Sequence, residues 1–144
     1  MKTYLPIEKD FDRKTYLVDA SGKTLGRLAT RVASLLIGKG KVAYCPDRLC
    51  GDQVIVINAK KVRLTGKKTQ KKMYTHYTGF HGGLRTYSFE ELFEKKPEEV
   101  IRRAIARMLP NNRLGSRMLK SLRIYAQAEH RHSAQKPIPL EGIG

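Results

Sequence analysis

The stretch TYLVDASGKTLGRLATRVASLLIG, Thr15 to Gly38, followed after a loop by VIVI, Val54 to Ile57, decides the fold. Thr15-Tyr16-Leu17-Val18-Asp19 reads as a short strand, and Ser21-Gly22 as the turn that leaves it. A helix is predicted from about Leu25 to Ile37. There Leu25, Leu28, Ala29, Val32, Leu35 and Leu36 recur at spacings of three and four, while Arg27, Arg31 and Ser34 take the other face. Gly38 supplies the stop. Val54-Ile55-Val56-Ile57, bounded by Asp52 and Asn58, is a β-branched run suited to a strand buried on both faces. Strand, helix and buried strand make a βαβ unit with a right-handed crossover, so the expected fold class is α/β, a parallel sheet covered by helices.

Downstream, Val62-Arg63-Leu64 is expected to add a short strand. Beyond a lysine-rich segment the pattern changes to alternation: Tyr74, His76 and Thr78 alternate with Thr75 and Tyr77, and Gly79-Phe80-His81-Gly82-Gly83 turns the chain toward Leu84-Arg85-Thr86-Tyr87. Residues 74–87 therefore read as an extended basic ribbon outside the core. Ser88 and Glu91 form a capping box at the head of a helix. Pro97-Glu98-Glu99 opens another, predicted to run to Leu109 before Pro110 with Val100, Ile101, Ala104, Ile105 and Met108 as its apolar side. Leu114 to Leu122 is expected as a third helical piece and Leu122-Arg123-Ile124-Tyr125 as a last strand. The tail, 129–144, has no periodicity and is expected to order only on a partner. No repeat or linker divides the chain, and 1–144 is expected to be a single domain.

Charge sets the class of partner. Lys plus Arg number 29 against 13 for Asp plus Glu, a net charge of +16. From Gln53 to Phe89 there are eight cations and no acid, and from Val100 to Ala128 seven more with no acid. Withholding carboxylates leaves cations free to displace counterions from a polyanion. No apolar run approaches the ~20 residues needed to span a bilayer, which sets aside a membrane partner. Met1 to Pro6 lacks the apolar stretch of a secretory signal, so a cytoplasmic location and cysteines held as thiols are expected.

The first cationic group is Lys60, Lys61, Arg63, Lys67, Lys68, Lys71 and Lys72, running into Tyr74, His76, Tyr77, Phe80 and His81. Cations for phosphates beside rings that can stack on exposed bases suit single-stranded or irregular RNA. Gly79, Gly82 and Gly83 let backbone N–H groups come close to a phosphate, and Arg85 extends the basic ribbon. The second group, Arg102, Arg103, Arg107, Arg113, Arg117, Lys120 and Arg123, is arginine-rich, and the planar guanidinium fork suits bidentate phosphate contacts. Pro110-Asn111-Asn112 leading to Arg113-Leu114-Gly115-Ser116-Arg117 could set a phosphate on a helix N-terminus.

Catalytic readings are weaker. Gly22-Lys23-Thr24 sits between strand and helix like the end of a phosphate-binding P-loop, but Leu17 stands where that motif needs its first glycine. A nucleotide-utilising enzyme is the alternative built on it, and a double-stranded DNA architectural protein the alternative built on charge. Cys45 and Cys50 lie near Asp47 and Asp52, yet a structural zinc site needs four ligands, and only the distant His130 and His132 remain to complete one. No cofactor, metal, catalytic residue or small-molecule substrate is expected.

One family resemblance covers nearly the whole chain, from about Tyr16 to Pro137. Val18-Asp19-Ala20-Ser21-Gly22-Lys23-Thr24-Leu25-Gly26-Arg27-Leu28-Ala29 resembles the opening of bacterial large-subunit ribosomal protein thirteen. The likeness continues through Gly51-Asp52, Val56-Ile57-Asn58-Ala59, Thr65-Gly66-Lys67-Lys68, Tyr77-Thr78-Gly79 and Gly82-Gly83. It extends to Met108-Leu109-Pro110, Leu114-Gly115, Tyr125-Ala126, Glu129-His130 and Ala134-Gln135. It implies a three-layer α/β/α domain around a small mainly parallel sheet, early binding to large-subunit ribosomal RNA, and contact with neighbouring ribosomal proteins. Carried over by matching position, it adds His130 to the RNA-binding set and supports Lys67, Lys68, Gly79, Gly82, Gly83 and Gly115; the cation beside His130, Arg131, is counted in the set without a matching position. Tyr44-Cys45-Pro46-Asp47 departs from the Tyr-Thr-Pro-His common in related bacterial sequences, so no contact by Thr or His is carried over there.

Overall fold

A computed structural model describes residues 5–7 and 11–140. Residues 1–4, 8–10 and 141–144, the last being the end of the expected tail, lie outside the described residues. Four strands form a wholly parallel sheet in the order β5-β2-β1-β6: β1 is Thr15–Asp19, β2 Gln53–Ile57, β5 Leu122–Ile124 and β6 Ile138–Pro139. Helix α1, Leu25–Ile37, connects β1 to β2 and ends where Gly38 turns left-handed at φ 83°, its N–H bonded back to Leu35 and Ser34. The βαβ unit stands as expected.

Register explains the layers. Val18 pairs with Val56, Tyr16 with Val54, and Val54 and Val56 in turn with Leu122 and Ile124, so these side chains share one face. That face carries the core, with Leu25, Leu28, Val32 and Leu36 of α1 and with Val100, Ile101 and Ile105 of α4, Pro97–Ala106. Burial there is complete for Val18, Leu28, Val54, Val56 and Leu122, each worth about 1.5–3 kcal/mol. The opposite face holds Leu17, Ile55 and Arg123. Ile55 is nonetheless buried, because the segment after β5 crosses it and brings His132 and Gln135 alongside. This thin third layer includes a 3-10 turn at Ser133–Gln135 and ends in β6, where the Leu140 N–H reaches the Leu17 carbonyl at 2.8 Å. The expectation of a tail without order is therefore corrected as far as Leu140: two-residue pairing with a distant strand leaves no periodic trace in sequence.

Other boundaries shift for local reasons. Val62–Leu64 is not a strand but a single bridge, Thr24 to Arg63, after a 3-10 turn at Ala59–Lys61. Its backbone is drawn instead to the loop before α1, through Gly22 N–H to Lys61 O at 3.0 Å and Leu25 N–H to Arg63 O at 3.0 Å. Helix α4 stops at Ala106 rather than Leu109, since Pro110 disfavours helical geometry just before it. Met108 is consequently exposed while Leu109 turns inward. Helix α5 is Arg113–Lys120, shorter than expected because Leu122 belongs to β5. A four-residue helix, α2, occupies Lys68–Lys71, and the ribbon is an antiparallel hairpin of β3, Met73–Tyr77, and β4, Leu84–Ser88. The capping box of Ser88 and Glu91 opens α3, Phe89–Lys95. Among the described residues no helix is long and apolar enough to cross a membrane.

Candidate nucleic-acid interface

Lys72 is the junction of the two cationic windows. Its carbonyl accepts the Phe89 N–H at 2.9 Å, which fixes it beside the start of α3, and its ammonium lies 5.4 Å from the centre of the Tyr74 ring. Arg103 of α4 takes a second position on that ring at 5.6 Å. Burial, then the charges of Arg107 and Lys68, push the Lys72 ammonium below its ordinary proton affinity. Lys68 and Lys72 from the first window and Arg107 from the second thus share one field. Separate stretches of sequence meet around the Tyr74 ring.

Four ion pairs are formed among the described residues: Lys14–Asp12, Lys41–Asp52, Arg48–Asp47 and Arg103–Glu99. Only the last touches either window, and it removes Arg103 from the free cations. Lys68, Lys72 and Arg107 have no carboxylate partner among the described residues. Crowding cations without acids works against the free fold and favours any ligand that supplies negative charge.

Tyr74 corrects the expected set of stacking rings. It is 2% exposed and packs in the core, so it anchors the hairpin and is unavailable to a base. Burial pushes its hydroxyl up, against the opposing pull of Arg107 and Arg103. His76 and Arg85 pair across the hairpin, both exposed, and His81 lies at its tip. Gly79 and Gly82 adopt φ 90° and 66°, which only glycine takes freely, and both are exposed. Gly83 is buried instead. A Cβ there would meet the Thr78 hydroxyl at 2.1 Å, and its N–H already bonds Phe80.

Lys60 and Lys61 close the 3-10 turn, Arg63 holds the bridge to Thr24, and Lys67, Lys68 and Lys71 line α2, all exposed. Arg113, Arg117 and Lys120 stand on one exposed face of α5 at spacings of four and three, opposite buried Met118. Arg113 is in the first turn, where the helix dipole disfavours a cation. The expected phosphate seat at this N-terminus is altered: the Asn112 side chain already caps the Gly115 N–H at 2.8 Å. Gly115 is required by packing, since a Cβ would sit 1.8 Å from the Pro110 carbonyl oxygen. His130 is half-buried, its Nδ1 accepting the His132 N–H, while Arg131 is exposed. Sequence reasoning missed Arg27 and Arg31, exposed on α1 outside both windows. The Thr30 hydroxyl lies 3.6 Å from the Met108 sulfur, so this face adjoins the end of α4.

The alternative sites are accounted for otherwise. Gly22 turns left-handed at φ 69°, and the N–H groups of Gly22, Lys23 and Leu25 are bonded to Lys61, Ala20 and Arg63, leaving no cradle for a nucleotide phosphate. The Cys45 thiol donates to Asp47 at 2.6 Å, a bond that raises its proton affinity, while Cys50 is buried. His132 is engaged with the Tyr125 hydroxyl at 2.8 Å. Among the described residues no three His, Cys, Asp or Glu side chains converge as metal ligands would.

Comparison with known proteins gives this surface a context. The family profile described as Ribosomal protein L13 matches residues 13–131. Large ribosomal subunit protein uL13 of Aquifex aeolicus (strain VF5) is 55% identical over 141 residues, covering 98% of each chain. The uL13 proteins of Finegoldia magna and Thermotoga maritima are 52% and 51% identical, each covering 98% of this chain and 99% of their own. A single-residue coincidence of motifs does not extend over a whole chain in this way: the protein belongs to the ribosomal protein L13 family.

Proposed function

We infer that this chain is a structural constituent of the large ribosomal subunit that binds and orders ribosomal RNA, and that it does so without catalysis. The observation that carries the mode of binding is the meeting of Lys72 and Arg103 over the Tyr74 ring, with Lys68 and Arg107 each one backbone turn away and without a carboxylate partner among the described residues. Around that centre, Lys60, Lys61, Arg63, Lys67 and Lys71 reach phosphates from one side, and Arg113, Arg117 and Lys120 track the backbone from α5. His76, Arg85 and the hairpin tip enter the folded RNA, with His130 and Arg131 adding contacts from the tail. Neighbouring ribosomal proteins are the other expected partners. The family relationship supports this reading, as does the absence of acid from both windows.

Sedimentation of the native protein through a low-magnesium sucrose gradient tests it. Comigration with large subunits is expected; recovery only from the free fraction would overturn the assignment. Competition between ribosomal RNA fragments and duplex DNA separates this reading from a DNA architectural role, which requires equal affinity.

A further inference from the structure

The hairpin is two-faced. Tyr74, His76, Arg85 and Tyr87 share one side, with Tyr74 entering the core and His76 and Tyr87 bordering a groove of about 440 Å³ with Leu92 and Arg103. Met73, Thr75, Tyr77, Leu84, Thr86 and Ser88 share the other. No member of that second face is charged, although the segment around it is the most lysine-rich of the chain. Met73, Tyr77 and Leu84 are 64, 61 and 63% exposed, and Phe80 at the tip is 78% exposed. Tyr77 and Leu84 are direct cross-strand partners, so they form one continuous patch.

Resting on the RNA-binding reading above, we propose that this uncharged face is a platform for unpaired bases of the RNA, while the cationic surroundings hold the phosphates. Charge complementarity selects the occupant. No acid lies between Gln53 and Phe89, and Glu91 and Glu99 border the groove with His76 and Tyr87 on the hairpin's opposite side. The strands of the patch and the lysine segment before them therefore present no carboxylate to what covers it. An apolar protein surface gains nothing from those lysines. Unpaired nucleotides satisfy both parts, with π-faces for Tyr77, Phe80 and Leu84 and phosphates for the exposed lysines that precede β3, such as Lys68 and Lys71. Bases inside a duplex present edges and phosphates but no free face, so the platform discriminates by pairing state and tolerates sequence.

The chain contains no tryptophan, so Tyr77→Trp introduces a single reporter. Full-length Tyr77→Trp is titrated with an unpaired oligoribonucleotide of mixed sequence and with a fully paired RNA duplex of the same length. Indole emission should be quenched by the unpaired strand and little changed by the duplex. In parallel, the Tyr77→Ser, Phe80→Ser, Leu84→Ser triple variant, its fold checked by circular dichroism, should bind the unpaired strand roughly 5- to 100-fold more weakly. Its affinity for duplex and the salt dependence of both should be unchanged. Equal losses for both RNAs, or no loss and no quenching while binding stays salt-dependent, would overturn the platform and leave the RNA-binding reading standing. Intact RNA affinity with failure to enter the large subunit would assign the face to a neighbouring protein and overturn the platform as well. Absence of salt-dependent binding of the unmodified protein to any RNA would overturn both readings.

Discussion

Asp19 shows how a single side chain holds the exit of β1. Burial alone would raise its carboxyl, but bonds from the Asn58 amide at 2.9 Å and from the Ser21 N–H and hydroxyl, with the charge of Lys23, hold it below the ordinary carboxylate range. A depressed folded value means stabilisation present above the unfolded pKa and lost as pH falls through the folded one. Asp19→Ala should cost about 1 kcal/mol at neutral pH, a value at the low end because the group is exposed. The gap to the parent should close in acid, as urea titrations at several pH values will read. Lys72 behaves with the opposite sign. Its lowered proton affinity means the charged form is resisted by the fold, so stability increases as pH rises through the folded value toward the ordinary one. Lys72→Met should therefore stabilise the free protein at neutral pH by roughly a few tenths of a kcal/mol while weakening RNA binding; thermal melts and filter binding on the same variant check both. Gly51→Ala would place a Cβ 1.7 Å from the Leu36 carbonyl oxygen and should cost about 3 kcal/mol or more. Gly26→Ala meets nothing within 4 Å and should stabilise α1 by about 0.5–1 kcal/mol. Gly22 and Gly38 were legible from sequence because a turn and a helix stop need them. Gly51 answers to the distant Leu36 carbonyl, and Gly83 and Gly115 to close contacts within the turns that precede them, at Thr78 and Phe80 and at Pro110, which depend on how those turns fold.

At the scale of elements, β1, α1 and β2 were readable because periodicity and β-branching coincide with their ends. The hairpin's existence was readable too. Its division into a cationic and an uncharged face required the register, since only pairing Tyr77 with Leu84 and His76 with Arg85 assigns residues of both strands to sides. Tyr74 looked like any other ring of the alternating run; its burial depends on Phe89 and α4 arriving beneath it. The C-terminal segment is the clearest case of order without local signal, since β6 gains its bonds from β1 while its own residues stay exposed, and His132 and Gln135 lie beside Ile55. Removing residues 129–144 should uncover Ile55, lowering stability by about 1.5–3 kcal/mol. Hydrogen exchange offers an independent check, with the Leu140 amide, bonded to Leu17, expected to be slower than the amides of Arg131 and Ala134.

For the molecule as a whole, composition disclosed the class of ligand, and the fold determined how the cations are grouped. The two acid-free windows are separated by the acidic helix starts at Glu90-Glu91 and Glu98-Glu99, yet α4 brings Arg103, with Arg107 one turn beyond it, to the Tyr74 ring that Lys72 also covers. No one-dimensional reading of charge could join them, because the join depends on α4 packing against α1 and on Tyr74 locking the hairpin base. The most direct test is the salt dependence of affinity for large-subunit ribosomal RNA, measured for the parent and for the Lys68→Gln, Lys72→Gln, Arg107→Gln variant. With ~8 phosphates engaged, the parent slope of log affinity against log salt should be about −6 to −7, and the variant's shallower by about 2 to 3. Parallel slopes would contradict the central claim that these three cations form one phosphate-binding centre.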